Sequence, residues 1–227
     1  MPRSSANNRG TRLKARIHAL AVLCAALYCS TGTAQVGAVA GPGANRVPLE
    51  SGNCARQQWP REALRYEIEG KVRIAYRVTP EGDVNDARVT KSSGWALLDD
   101  ASVAAARTCR FPPDKAAALQ DREMPVEFVW TLEGERVHPG LVAGSCVPAG
   151  PIDGFQPYDN RATSATGIRV RFLVDGKGQP YDIKLEGDPG AALAEQAVRL
   201  LETCRFAFDD DVWGMRTNTV TGRVLLR

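Results

Sequence analysis

Six cysteines and two histidines have the most specific chemistry open to them in this 227-residue chain. The cysteines stand at 24, 29, 54, 109, 146 and 204, and the histidines at 18 and 138. There is no Cys-x-x-Cys, no His-Glu-x-x-His and no phosphate-binding loop, so zinc, thiol-redox and nucleotide chemistry find no motif. A nucleophile–histidine–carboxylate set would have to use His138, beside Pro139-Gly140 in a segment that reads as a linker. Asp99-Asp100 and Asp209-Asp210-Asp211 read as solvated acids at a helix start and in a loop. No catalysis and no cofactor are expected. The chemistry left to the cysteines is disulfide formation, which depends on where the chain resides.

The N-terminus bears on that question. Residues 1–16 carry Arg3, Arg9, Arg12, Lys14 and Arg16 and no acid, and an apolar stretch follows from Ile17 to Tyr28. Gly32-Thr33-Ala34 then precedes Gln35. A basic start, a short apolar core and a small-x-small site read as a secretory signal over 1–34. The apolar core falls short of the roughly 20 residues of a spanning helix, so cleavage is expected, an uncleaved inner-membrane anchor being the alternative. Large residues before Cys24 and Cys29 argue against a lipoprotein. The chain has 29 basic and 26 acidic residues; removing the five basic ones of the signal leaves 24 against 26, a net of −2. That balance gives no electrostatic case for nucleic acid or an anionic membrane surface.

An internal repeat orders the remaining four cysteines. Residues 70–82 (GKVRIAYRVTPEG) and 167–178 (GIRVRFLVDGKG) align at an offset of 96, and Cys-Arg-Phe recurs at 109–111 and 204–206, at an offset of 95. Each unit then has one cysteine before its first strand and one near the end of a helix. This selects Cys54–Cys109 and Cys146–Cys204, with four free thiols as the alternative. A disulfide closing a loop of this size contributes about 4 kcal/mol in the chain-entropy model, a large share for domains of under roughly 100 residues.

The elements follow from periodicity. Residues 55–66 read as a short helix or a turn into one, and 71–78 as a strand with Val72, Ile74, Tyr76 and Val78 on one face. A turn at 80–83 and a strand at 84–90 complete a hairpin. Leu97, Leu98, Ala101, Ala105 and Cys109 mark a helix over 97–109, stopped by Pro112-Pro113. Residues 125–132 form a strand with Val126, Phe128, Trp130 and Leu132 on one face. In the second unit, strands fall at 168–174, 181–186 and about 218–226, and a helix at 191–204. Its opening segment, 147–166, has no helical period. The fold class is α+β: two tandem small domains, each a short antiparallel β-β-α-β sheet with one or two helices on one face. The boundaries are a flexible lead-in at 35–52, a domain at 53–133, a linker at 134–145 and a second domain at 146–227.

The first unit carries, in order, Trp59-Pro60, Ala63, Gly70-Lys71-Val72, Pro80-Glu81-Gly82, Val84 and Val89. Ser92-Ser93-Gly94, Leu98-Asp99, Ala101 and Arg110-Phe111-Pro112-Pro113 follow. This ordered set resembles the TonB C-terminal domain family. Cys109 stands where the family often has an aromatic, and Gln57 where its extended motif has proline. The second unit reads as a diverged copy, keeping the strands and Cys-Arg-Phe but not Ser-Ser-Gly or the aromatic-Pro pair.

The resemblance implies a binding protein of the cell envelope, periplasmic if the signal is cleaved. It would capture an extended segment of an outer-membrane receptor or other envelope protein by adding it to a sheet edge. The implied partner-binding residues are Gln58, Trp59, Pro60, Glu127, Phe128, Trp130 and Thr131. The side chains of Val126, Phe128 and Trp130 are expected in the core, leaving the strand backbone, Glu127 and Thr131 for the partner. Sheet edges also allow a homodimer. The alternative is a structural envelope protein, bound to peptidoglycan or a periplasmic protein, that keeps the fold without energy transduction. The family's membrane anchor and long Pro-, Glu- and Lys-rich spacer have no counterpart in this reading. Mass spectrometry of the protein from cells should find its N-terminus near Gln35; an intact Met1 would restore the anchored reading.

Overall fold

Pro60 fixes φ at −58° and opens a single helical turn, α1 (Arg61–Arg65), in a computed structural model of the chain. The structure describes residues 53–227 other than 56, 121, 162–166, 210 and 212, so the signal and lead-in lie outside the described residues. The helix is shorter than 55–66 because its approach is held extended: Asn53 bridges Arg110, and Cys54 is bonded to Cys109. β1 (Gly70–Val78) and β2 (Val84–Lys91) form the expected hairpin, with Val72, Ile74, Tyr76 and Val78 buried.

α2 (Ala96–Arg107) buries Leu98, Ser102 and Ala106, with Cys109 buried just beyond it; of the expected stripe Leu98 and Cys109 are fully inward, while Leu97, Ala101 and Ala105 are only partly buried. Ser102 tolerates the core because its hydroxyl donates to the Leu98 carbonyl (2.7 Å) and accepts from the Trp130 indole N–H (3.0 Å). Pro112-Pro113 does more than stop a helix: Pro113 begins α3 (Pro113–Leu119), where its missing N–H costs nothing. With β3 (Met124–Trp130) the strands form an antiparallel sheet in the order β2-β1-β3. Leu132 lies beyond the strand and is only half-buried.

The segment read as a linker carries two short strands, β4 (Arg136–Val137) and β5 (Gly140–Leu141). Where no regular element was expected, Ile152 and Phe155 turn inward from β6 (Ile152–Pro157). β7 (Gly167–Val174), β8 (Pro180–Leu185) and α4 (Ala191–Thr203) follow as the sequence predicts. Then come β9 (Phe206–Ala207), β10 (Met215–Arg216) and β11 (Thr219–Leu226). The second sheet is antiparallel in the order β6-β11-β7-β8, while β4 pairs with β10 and β5 with β9. Two observations thus depart from a plain β-β-α-β pair: a third helix beside the first sheet and a fourth strand in the second.

The hairpins of the two sheets share their irregularities. The β1–β2 register slips between Ala75 and Arg77, opposite Asp86 at φ 48°; that of β7–β8 slips between Arg171 and Leu173, opposite Asp182 at φ 51°. Gly82 and Gly178, both at positive φ, close the two turns, and a Cβ there would lie 2.1 Å from the Phe111 carbonyl oxygen and 2.2 Å from that of Phe206. Only glycine admits that approach. Cys146 is bonded to Cys204, so both cross-links follow the pairing read from the repeat.

The sheets belong to one compact unit, and β7 is buried along its length from Ile168 to Val174. Ile168, Val170, Phe172 and Val174 pack in the second core, around α4. The opposite face presents Arg169, Arg171 and Leu173, and Leu173 joins the core of the first sheet. Arg169 stacks over Trp95 at 4.2 Å and donates to the Ser93 carbonyl. Arg171 donates to Glu62 (2.8 Å) and Glu186 (2.5 Å), and Glu186 also accepts from the Ala96 N–H at the start of α2 (2.7 Å). Burial, and then the nearby Arg223, pull the Arg169 guanidinium down to about 10. Among the described residues no helix is long and apolar enough to cross a membrane.

Asp159, 6% exposed, balances this cationic face. Arg161 and then Arg223 donate to its carboxylate and hold its pKa well below the usual carboxylate range. A depressed folded pKa contributes stability that is present above the unfolded value, about 3.9, and is lost as pH falls towards the folded one. Urea unfolding from pH 6 to pH 2 should therefore show a fall in stability beginning below about pH 4, and Asp159→Asn should flatten that part of the profile. Parallel profiles for parent and variant would assign the acid sensitivity elsewhere.

Candidate functional site

β3 lies at the outside of the first sheet, paired with β1 from Gly70↔Trp130 to Tyr76↔Met124, and among the described residues no strand pairs with its other edge. Pro125 is compatible with this place, since a strand proline lacks the N–H that a central ladder needs. Met124, Val126, Phe128 and Trp130 point into the core and Pro125, Glu127 and Val129 away from it. The edge therefore offers backbone groups on a strand whose own side chains are fixed.

The residues named from the resemblance fall into three places. Trp59 and Pro60 sit beside the end of β3: the Trp59 ring meets Trp130 edge-on at 5.1 Å, and the Pro60 carbonyl starts α1 by accepting from Leu64. Phe128 and Trp130 are 3% and 1% exposed, so only their backbone is available. Glu127 lies on the outer sheet face and takes Arg73 at 3.2 Å, while Gln58 and Thr131 are exposed. The Trp130–Ser102–Leu98 chain of hydrogen bonds ties the strand to α2 beneath it.

Beyond Trp130 the edge opens on a cleft of about 680 Å³. Glu67, Glu69, Lys71, Lys91, Trp130 and Thr131 line it from the first sheet and its flanks, His138 from between β4 and β5, and Tyr158, Asn160 and Thr219 from the second sheet and the end of β6. His138 is thus not on a loose linker, a placement invisible in a sequence where 71 residues separate it from Glu67. The Glu67 carboxylate accepts from the Thr219 hydroxyl (2.8 Å) and lies 3.6 Å from Arg136 and 3.7 Å from His138 Nδ1. The Thr217 hydroxyl reaches the same Nδ1 at 3.1 Å.

That set is not a nucleophilic triad. A triad needs the acid on one imidazole nitrogen and the nucleophile on the other. Here acid and hydroxyls converge on Nδ1, and Thr219 is 4% exposed. Tyr158 donates to the Pro139 carbonyl (2.6 Å), and burial, with Glu67 nearby, pushes its pKa up. Asp99 is not simply solvated: it accepts from the Ser92 and Ser93 hydroxyls and the Ser93 N–H, fixing the Ser-Ser-Gly turn. Among the described residues no three His, Cys, Asp or Glu side chains converge as metal ligands.

Residues 55–132 match the family model of the Gram-negative bacterial TonB protein C-terminal domain. No curated protein and no solved structure matches the chain.

Proposed function

We propose that this chain is a non-enzymatic, TonB-like protein of the cell envelope that binds an extended peptide by strand addition along β3. The observation that carries the reading is the open edge of β3, in a segment that matches a TonB-type domain. Backbone groups there can pair with a guest strand, while the Trp130–Ser102 and Trp59–Trp130 contacts keep the edge from deforming. The fitting partner is a segment of an outer-membrane receptor or another periplasmic protein, met after export through the signal at 1–34. The second sheet, within 146–227, is a diverged copy of the domain at 53–133, joined through 134–145. The shared bulge, glycine turn and disulfide position support that descent. With β8 and β2 also at sheet edges, a homodimer is open to it.

The test uses synthetic receptor segments and their N-methylated forms, titrated against the full chain. At least one segment should bind. Methylating alternate amides in the register that faces β3 removes about two hydrogen bonds and should weaken binding roughly tenfold, whereas the other register should tolerate it. If no segment is retained, or methylation weakens binding in neither register, strand addition is wrong.

A further inference from the structure

The pairing of β1 with β3 recurs in the second half. Each pair from Lys71↔Val129 to Tyr76↔Met124 has a counterpart 96 positions on, from Gly167↔Leu225 to Phe172↔Val220. β11 therefore holds the place of β3, and Gly222 that of Val126. The two strands differ at their other edge. Among the described residues no strand pairs with that of β3, whereas β6 runs antiparallel along that of β11, from Gly222↔Pro157 to Leu226↔Ile152.

The segment that makes β6 has a counterpart too. It follows Cys146 as α1 follows Cys54, and each of these cysteines is bonded to the Cys-Arg-Phe of its own half. Gly150, Pro151, Gly154 and Pro157 deny the second segment a helix, so it runs extended along the sheet edge. Ile152 and Phe155 enter the second core, where the Phe155 ring meets Phe172 and Phe206. Gly222 is fitted to this strand. A Cβ there would lie 2.5 Å from the Gln156 carbonyl oxygen and 2.6 Å from the Phe155 ring, while the matching position on β3 carries a valine.

We infer that β6 is a built-in guest, a strand of this chain that fills on β11 the place a partner's strand takes on β3, so that of the two equivalent edges only β3 is open to a partner. This rests on strand addition along β3 and on the second sheet as a copy of the first. The Cys146–Cys204 bond ties β6 beside its edge. A strand tethered in this way acts at an effective concentration of roughly millimolar, which a free segment of the partner does not reach. β6 also makes a poor edge itself. Pro157 has no N–H, and the extra residue Asp153, opposite the step from Leu225 to Leu226, interrupts the ladder.

Two arms on the full chain test this, both read by amide hydrogen exchange over residues 124–130 and 219–226. In the first, a receptor segment that binds is titrated to saturation. It should bind as one equivalent and slow exchange over 124–130 alone. A second equivalent, or slowing over 219–226, would overturn the built-in guest. In the second arm, Phe155→Ala loosens β6. Exchange over 219–226 should quicken roughly tenfold while 124–130 keeps its rate. A synthetic peptide of residues 149–159 should then restore slow exchange over 219–226 in the variant and leave that stretch of the parent unchanged. Unaltered exchange in the variant, or no restoration by the peptide, would make β6 a fixed part of the core and not the occupant of a docking edge. If Phe155→Ala does not fold, Ile152→Ala removes a smaller side chain from the same strand and takes its place. Failure of every receptor segment would remove strand addition and the guest role with it, while the second arm would still report whether β6 closes β11.

Discussion

Arg171 holds Glu62 of α1 and Glu186 beyond β8 at once, and Glu186 in turn accepts the first free N–H of α2. This buried connection, with Arg169 stacked on Trp95, is the constraint on which the molecule depends. A guanidinium taken out of water costs several kcal/mol unless its charge and its donors are answered. The charge of Arg171 is fully answered only if the two halves meet in register: its side chain is 8% exposed, and its Glu62 partner stands on α1, beside the first sheet. Removing Arg171 would leave Glu62 and Glu186 without their shared cation, so the contact selects one arrangement of the sheets more than it adds stability.

That arrangement creates the cleft. Glu67, at φ 50° between α1 and β1, turns its carboxylate towards Thr219 of the second sheet and His138 between β4 and β5. Tyr66, just before it, donates to the Asp182 carbonyl across the same boundary, and burial raises it to about 12. The end of β3 is therefore framed in part by residues outside 55–132, the segment that matches the TonB family model. The open edge belongs to the first sheet, and the second shapes what lies at its end.

The hairpins were legible because an apolar face against solvent produces a period of two, and the disulfides because the repeat aligned the cysteines. Ser102 and Ala106 were missed in the inward stripe of α2, Ser102 because a serine satisfied by Trp130 cannot be told from a surface serine in sequence. α3 was hidden behind a proline pair that reads as a stop yet serves as a start. β6 places Ile152 and Phe155 three residues apart, which breaks the alternation. Arg169 and Arg171 have no partner legible in the sequence, because only the fold decides that Ser93, Trp95 and Glu62 cover them. The open edge was legible through the family resemblance. The cleft was not, because its walls meet from residues up to 155 positions apart, Tyr66 and Thr221.

Urea unfolding followed by tryptophan fluorescence in a Trp213→Phe background measures this dependence most directly. The signal then comes from Trp59, Trp95 and Trp130, all in the first sheet's half of the chain. The account predicts one transition, and Arg171→Ala on the second sheet should destabilise that same transition by about 3 kcal/mol. A first-sheet transition that stays in place when Arg171 is removed would contradict it.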